Sequence, residues 1–130
     1  MSDTTIETPY GMDILWASHK DYACNILVFH KAKNRTSMYF HKNTDKTWFC
    51  NAGKFKLRYV DVKDGSMYEA ELEEGKVFNV PPLMPVQLEA LVDNSSITAA
   101  SNGHDEYDIY HVIPADKWEQ NEKITDKNTI

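Results

Sequence analysis

Tyr39 and His41 stand two residues apart in the run Met38-Tyr39-Phe40-His41. In a strand that spacing puts both side chains on one face. An imidazole titrates near neutrality and a phenol both donates and accepts, so the two are the candidate catalytic acid/base pair. Lys46 adds an ammonium suited to a carboxylate or phosphate. Its alternatives are to run out to solvent along its apolar stem or to pair with the adjacent Asp45 or a nearby glutamate. Trp48 and Tyr59 offer aromatic faces of the kind that stack on sugars and nucleobases. His104 opens the charged stretch that continues through Asp105, Glu106 and Asp108 to His111, read chiefly as a solvated loop at a strand end. The candidate ligand-binding residues are therefore Tyr39, His41, Lys46, Trp48, Tyr59 and His104. Pockets for small molecules combine apolar walls with a few orienting polar groups. The competing reading is a barrel filled by these side chains, in which each buried polar tip needs a partner.

Short strands must position these residues. Apolar runs or alternations fall at 14–16, 22–29, 38–41, 48–50, 55–62, 67–72, 77–80, 86–92, 97–100 and 107–113. Residues 55–62 alternate with period two, Phe55, Leu57 and Tyr59 on one face and Lys56, Arg58 and Val60 on the other. Asp64-Gly65 marks a hairpin, across which Lys56 and Arg58 are expected to face Glu69, Glu71 and Glu73. About ten short strands with turn residues between them predict an all-β barrel or sandwich. Residues 114–122 are the one stretch with a helix signal, with proline at its start. The expected layout is an arm (1–11), one barrel (12–114) and a polar tail (115–130), whose last residues (120–130) fray.

The chain has 130 residues, 42% of them apolar, and a net charge of -6. That suffices for one core and argues against a nucleic-acid partner, which calls for a basic face. No apolar run approaches the roughly 18 residues of a membrane helix, and residues 1–8 lack the order of a secretion signal, so a cytoplasmic protein without membrane contact is expected. Cys24 and Cys50 lie in apolar runs and read as buried reduced thiols.

Two stretches resemble the paired motifs of the cupin family. The first family motif reads G-x5-H-x-H-x(3,4)-E-x6-G, and Lys33, Tyr39, His41, Lys46 and Gly53 fall at its fixed positions. The second reads G-x5-P-x-G-x2-H-x3-N, matched in spacing by Gly75, Pro81, Leu83, Val86 and Ala90. The resemblance, over residues 12–114, is greatest to small single-domain mannose-6-phosphate-isomerase-like cupins. It implies a double-stranded β-helix (jelly-roll) barrel of antiparallel strands and a homodimer, with the apolar run 22–29 able to join the interface. It also places Tyr39, Lys46 and Val86 at three of the four positions where cupins hold a metal, leaving only His41. One imidazole is not a metal site and a lysine repels a cation, so no metal or other cofactor is expected. A different site from His41, His104 and His111 is the alternative. By motif position Lys46, Trp48, Val86 and Leu88 point into the barrel, with Phe78 and Val80, while Gln87 points outward. The expected function is metal-free binding of a small polar, sugar-like or anionic metabolite. A metal-independent sugar or nucleotide-sugar isomerase or epimerase is the alternative, and a filled-barrel interaction protein the third reading.

Overall fold

In the computed structural model of the chain, residues 5–103, 105 and 107–115 are described below. His104 and most of the expected helical turn at 114–122 lie outside them, as does the tail beyond Ala115.

Eleven strands run in chain order: β1 Thr5–Thr8, β2 Gly11–Ser18, β3 Ala23–Phe29, β4 Met38–Phe40, β5 Lys46–Ala52, β6 Lys54–Val60, β7 Met67–Glu73, β8 Val77–Val80, β9 Val86–Ala90, β10 Ser95–Ser101 and β11 Tyr110–Ile113. They form two sheets, β1-β2-β3-β10-β5-β8 and β11-β4-β9-β6-β7, with every pairing antiparallel. Chain neighbours such as β4 and β5 lie in opposite sheets, so the chain winds across the barrel as a jelly roll does. Residues 5–8 of the expected arm form the outermost strand of the larger sheet.

The period-two pattern of β6 decides how the two faces are used. Phe55 and Leu57 enter the core with Phe29, Trp48, Leu88 and Ile97, all at most 1% exposed. On the other face Arg58 lies opposite Glu69 and bonds it at 3.1 Å, and Lys54 reaches Glu71 at 3.1 Å. The Asp64 carboxylate closes the β6–β7 hairpin by accepting from the Ser66 N–H and the Tyr68 hydroxyl.

Gln87 points outward as expected, without reaching solvent. It faces away from the barrel interior but is fully buried, because residues 35–37 cross over it. Its amide donates to the Thr36 carbonyl and its oxygen accepts from Arg58 Nη1 at 2.8 Å. Arg58, which also bonds Glu89 at 2.9 Å, is thus buried among partners that satisfy its charge. Cys50 is buried as expected, whereas Cys24 is only half-buried; both are free thiols. Strand β3 lies between β2 and β10, so both its edges are already paired and the run 22–29 offers no free edge to a partner. No helix among the described residues is long and apolar enough to cross a membrane.

Candidate functional site

The barrel is packed at one end and open at the other. Beyond the aromatic core lies a cavity of about 710 Å³, walled by both sheets. Tyr39, His41, Lys46 and Trp48 line it together. Tyr59 does not: it stacks on Tyr68 and lies tilted against Phe78, with ring centroids 5.6 and 5.3 Å away, outside the cavity lining.

Lys46 begins β5, where its backbone pairs with Val80 on one side and Ser101 on the other. Asn79 fixes it further by donating to its carbonyl at 3.1 Å. The side chain neither runs to solvent nor pairs with Asp45; it is 8% exposed and its Nζ lies 3.0 Å from both the Tyr39 hydroxyl and His41 Nε2. The ring faces of Tyr39 and Trp48 flank the same nitrogen at 4.6 and 5.0 Å. Burial in this aromatic surround pushes the Lys46 amine down to about 7, with Asp13 on β2 of the same sheet pulling the other way. Burial likewise raises the Tyr39 phenol far above the ordinary tyrosine range, helped by Tyr10 and Asp13, so Tyr39 stays neutral.

His41 has its tautomer set from behind. Its Nδ1 hydrogen-bonds the Asp108 backbone carbonyl, an acceptor only, so Nδ1 carries the proton and Nε2 presents a lone pair to Lys46. Asp108 itself is buried, contrary to the expected solvated loop. Its carboxylate accepts from the backbone N–H groups of Lys42, Asn43 and Thr44 and from the Thr44 hydroxyl, at 2.8–3.0 Å. Burial alone would raise its pKa; these donors outweigh burial and hold it below the usual carboxylate value. The loop joining β4 to β5 is therefore wound around one side chain, and the backbone carbonyl of the same residue orients His41.

The cavity also takes in residues that their types alone do not mark. Asp13 and Asn25 meet across β2 and β3, Asn25 Nδ2 donating to Asp13 Oδ1 at 2.9 Å, and both line the cavity. Arg35 and Tyr10 line it as well, Tyr10 stacking on Phe29 at 4.4 Å. A signal was present: Asp13 and Asn25 are single polar residues inside otherwise apolar strands, where an uncompensated polar group costs about 1–3 kcal/mol. His111 also reaches the cavity, its Nδ1 2.6 Å from the Ser37 hydroxyl. Among the described residues Trp48 Nε1 is a buried donor without an acceptor.

The backbone carries the motif register independently of the side chains. All four glycine positions of the two motifs are left-handed here: φ is 75° at Lys33, 79° at Gly53, 84° at Gly75 and 71° at Leu83. Two of them carry another residue in the same conformation. At Gly53 an added Cβ would lie 2.1 Å from Ser95 Oγ, so glycine is required there. At Leu83 the N–H donates to the His41 carbonyl at 2.6 Å, tying the Pro81-Pro82 turn to the site. An L-residue in this region costs about 1–2 kcal/mol, and glycine gives back roughly 0.5–1 kcal/mol as unfolded-chain entropy. Leu83 is half exposed, so little burial is lost. Leu83→Gly is thus expected to raise stability by about 0.5 kcal/mol in urea unfolding; a loss would mean that the leucine side chain holds the turn.

No protein-family model matches the chain, and no curated protein sequence matches it either. Solved structures do. Capsular polysaccharide assembling protein CapF from Staphylococcus aureus superposes with a TM-score of 0.73 at 17% identity, over 84% of this chain and 34% of CapF. Oxalate decarboxylase from Bacillus subtilis does so with a TM-score of 0.75 at 15% identity, over 85% of this chain and 30% of the enzyme. Both neighbours are cupin-fold proteins. The fold of this chain is the cupin fold. The chain spans about a third of the length of either neighbour.

The metal that cupins commonly hold does not fit this cupin barrel. At the four motif positions stand a neutral phenol, one imidazole, an amine and the fully buried Val86. The imidazole's available nitrogen is taken by Lys46. A divalent ion requires three or four converging N, O or S donors, and among the described residues no three His, Cys, Asp or Glu side chains converge. With His104 outside the described residues, His41 and His111 are the two members of the alternative histidine set that can be placed.

Proposed function

We propose that this cupin barrel binds a small anionic or sugar-like metabolite without a metal, with Lys46 as its anchor. The observation behind the reading is the state of the lysine: a buried amine that opens on a cavity of about 710 Å³ while held by two neutral partners. A ligand carboxylate or phosphate at that nitrogen would supply a counter-charge in direct contact, where Asp13 acts only through space, and would draw a proton onto it. Trp48 provides an unspent donor in the same wall, and Tyr39, Trp48 and Tyr10 provide ring faces for an apolar or sugar surface. Asp13, Asn25 and Ser37 add the polar edge that hydroxyl groups need.

Titration calorimetry at pH 6.5 with a panel of sugars, sugar phosphates and small hydroxy and oxo acids tests this. At least one anionic compound is expected to bind. Lys46→Met should weaken that compound roughly 10- to 100-fold, the worth of one charge-assisted hydrogen bond of about 1.5–3 kcal/mol. Affinity should also fall as pH rises past the lysine's value of about 7. A panel without binders, or binding indifferent to Lys46→Met, would sink the proposal.

A second reading, proton transfer on a sugar derivative by a metal-independent isomerase or epimerase, draws on the His41 tautomer. With Nδ1 committed to Asp108, Nε2 is the basic nitrogen, and Tyr39 lies beside it with ring centroids 5.5 Å apart. Exchange of a substrate C–H proton with deuterated solvent, lost in His41→Asn, is the expected signature.

A further inference from the structure

The geometry points to a covalent role for Lys46: its Nζ is a nucleophilic amine that captures a small aldehyde or ketone entering the cavity as an imine. This deepens the binding proposal, since it rests on the cavity admitting a small molecule.

A neutral amine has two hydrogens and one lone pair. The Lys46 hydrogens have acceptors in place, the Tyr39 oxygen and His41 Nε2, each 3.0 Å away. Donating to both leaves the lone pair as the unspent valence of a side chain that lines the cavity. The Tyr39 and Trp48 rings flank the nitrogen and keep its last carbons dry. Burial supplies the neutral form, for the amine is pushed down to about 7. The charged and titratable groups around it pull in both directions. Asp13 from β2 favours the ammonium, as do the ring faces; His41 and Tyr39 at β4 accept from either form; His111 from β11 and Arg35 share the cavity wall.

The step balances without any outside oxidant or reductant. The Nζ lone pair forms a bond to the carbonyl carbon as the C=O π pair moves onto oxygen. The proton shed by nitrogen passes to His41 Nε2 and from there to that oxygen, giving a carbinolamine. The carbinolamine hydroxyl then leaves as water, the second amine hydrogen following by the same imidazole, and a C=N bond remains. One water is released and no atom changes oxidation state overall. The basic nitrogen of His41 lies beside the reacting amine because Asp108 holds the opposite edge of the ring.

Competitive reductive labelling tests the inference on the intact chain. The protein is pulsed with glycolaldehyde and sodium cyanoborohydride at pH 7, and modified lysines are quantified by peptide mass mapping. About half of Lys46 is neutral at that pH, against roughly one in 2,500 of an ordinary solvated lysine. Lys46 should therefore be labelled on the order of tenfold or more faster than the exposed Lys31 and Lys63, with the advantage shrinking towards pH 10. Labelling of Lys46 no faster than those two overturns the inference. The two proposals fail separately. Binding in the calorimeter with no preference for Lys46 removes the imine and leaves the receptor. Selective labelling with no anion bound leaves the nucleophile and removes the receptor.

Discussion

The stability of Lys46→Met relative to the parent protein is expected to shift by about 4 kcal/mol between pH 6 and pH 10. In the folded chain the Lys46 amine is pushed down to about 7 by burial; in the unfolded chain it returns to about 10.4. Between those values the unfolded chain binds a proton that the folded chain does not. The parent therefore gains stability as pH rises through that window, at about 1.4 kcal/mol per pH unit. Below the window the full cost of burying the amine is present. Methionine is close in volume and has no proton to lose, so its curve lacks this rise. At pH 6 the variant should be the more stable protein, by less than the full amount, because Tyr39 and His41 each lose a hydrogen bond worth about 1 kcal/mol. The raised phenols of Tyr10 and Tyr39 act in the opposite sense, stabilising below about pH 10 and losing that contribution above it, and being common to both proteins they largely cancel in the difference. Urea midpoints for the pair at unit pH steps measure it. Parallel curves would mean that Lys46 keeps its charge when the chain folds, and both proposals built on its partial neutrality would fall with them.

Asp108→Ala is expected to cost about 3 kcal/mol and to disorganise the site as well as the fold. One carboxylate accepts four hydrogen bonds from the loop between β4 and β5, three of them from backbone N–H groups. Removing it leaves those donors without their acceptor, and the loop is what brings His41 and Lys46 to the same point. Asp108→Asn separates the two consequences. It keeps one acceptor oxygen and the shape, so it should recover part of the stability, while the amide sets a donor against N–H groups that need an acceptor. Chemical unfolding reads the first effect. The titration of His41 by nuclear magnetic resonance reads the second, because the ring loses a fixed partner on Nδ1 if the Asp108 backbone moves. The carboxyl is held below its usual value, so its contribution is present above about pH 4 and is lost as pH falls through the folded value. A destabilisation by Asp108→Ala that persists unchanged at pH 2 would show that the loop does not depend on the carboxylate.

Much of the architecture is legible in the chain because it is encoded locally. The alternation of residues 55–60 can bury only one face, and Asp64-Gly65 can close only a tight hairpin, so β6 and β7 and the Arg58–Glu69 pair follow directly. The motif spacing is equally local: it counts residues between turns, and the left-handed conformation stands at Lys33 and Leu83 without a glycine. The grouping of Tyr39, His41 and Lys46 was readable for the same reason, since a strand and a short loop of fixed length join them.

The rest depends on contacts between residues far apart in the chain. Tyr59 has the residue type of a pocket wall, yet the barrel's depth puts it against Tyr68 and Phe78, away from the opening. Asp13, Asn25 and Arg35 join the cavity through strand crossings that no short window contains. Asp108 lies more than sixty residues from the loop it fixes, so composition alone made it a solvated acid. Lys46 is the clearest case. The motif spacing alone puts an amine where cupins place a metal ligand, a charge that opposes a cation there. Folding is what buries this amine between two aromatic rings, pushes it down to about 7, and aims it at a phenol and an imidazole beside an open cavity. The reason is that charge and reactivity depend on solvent exclusion, and solvent exclusion is a property of the closed barrel rather than of any stretch of chain.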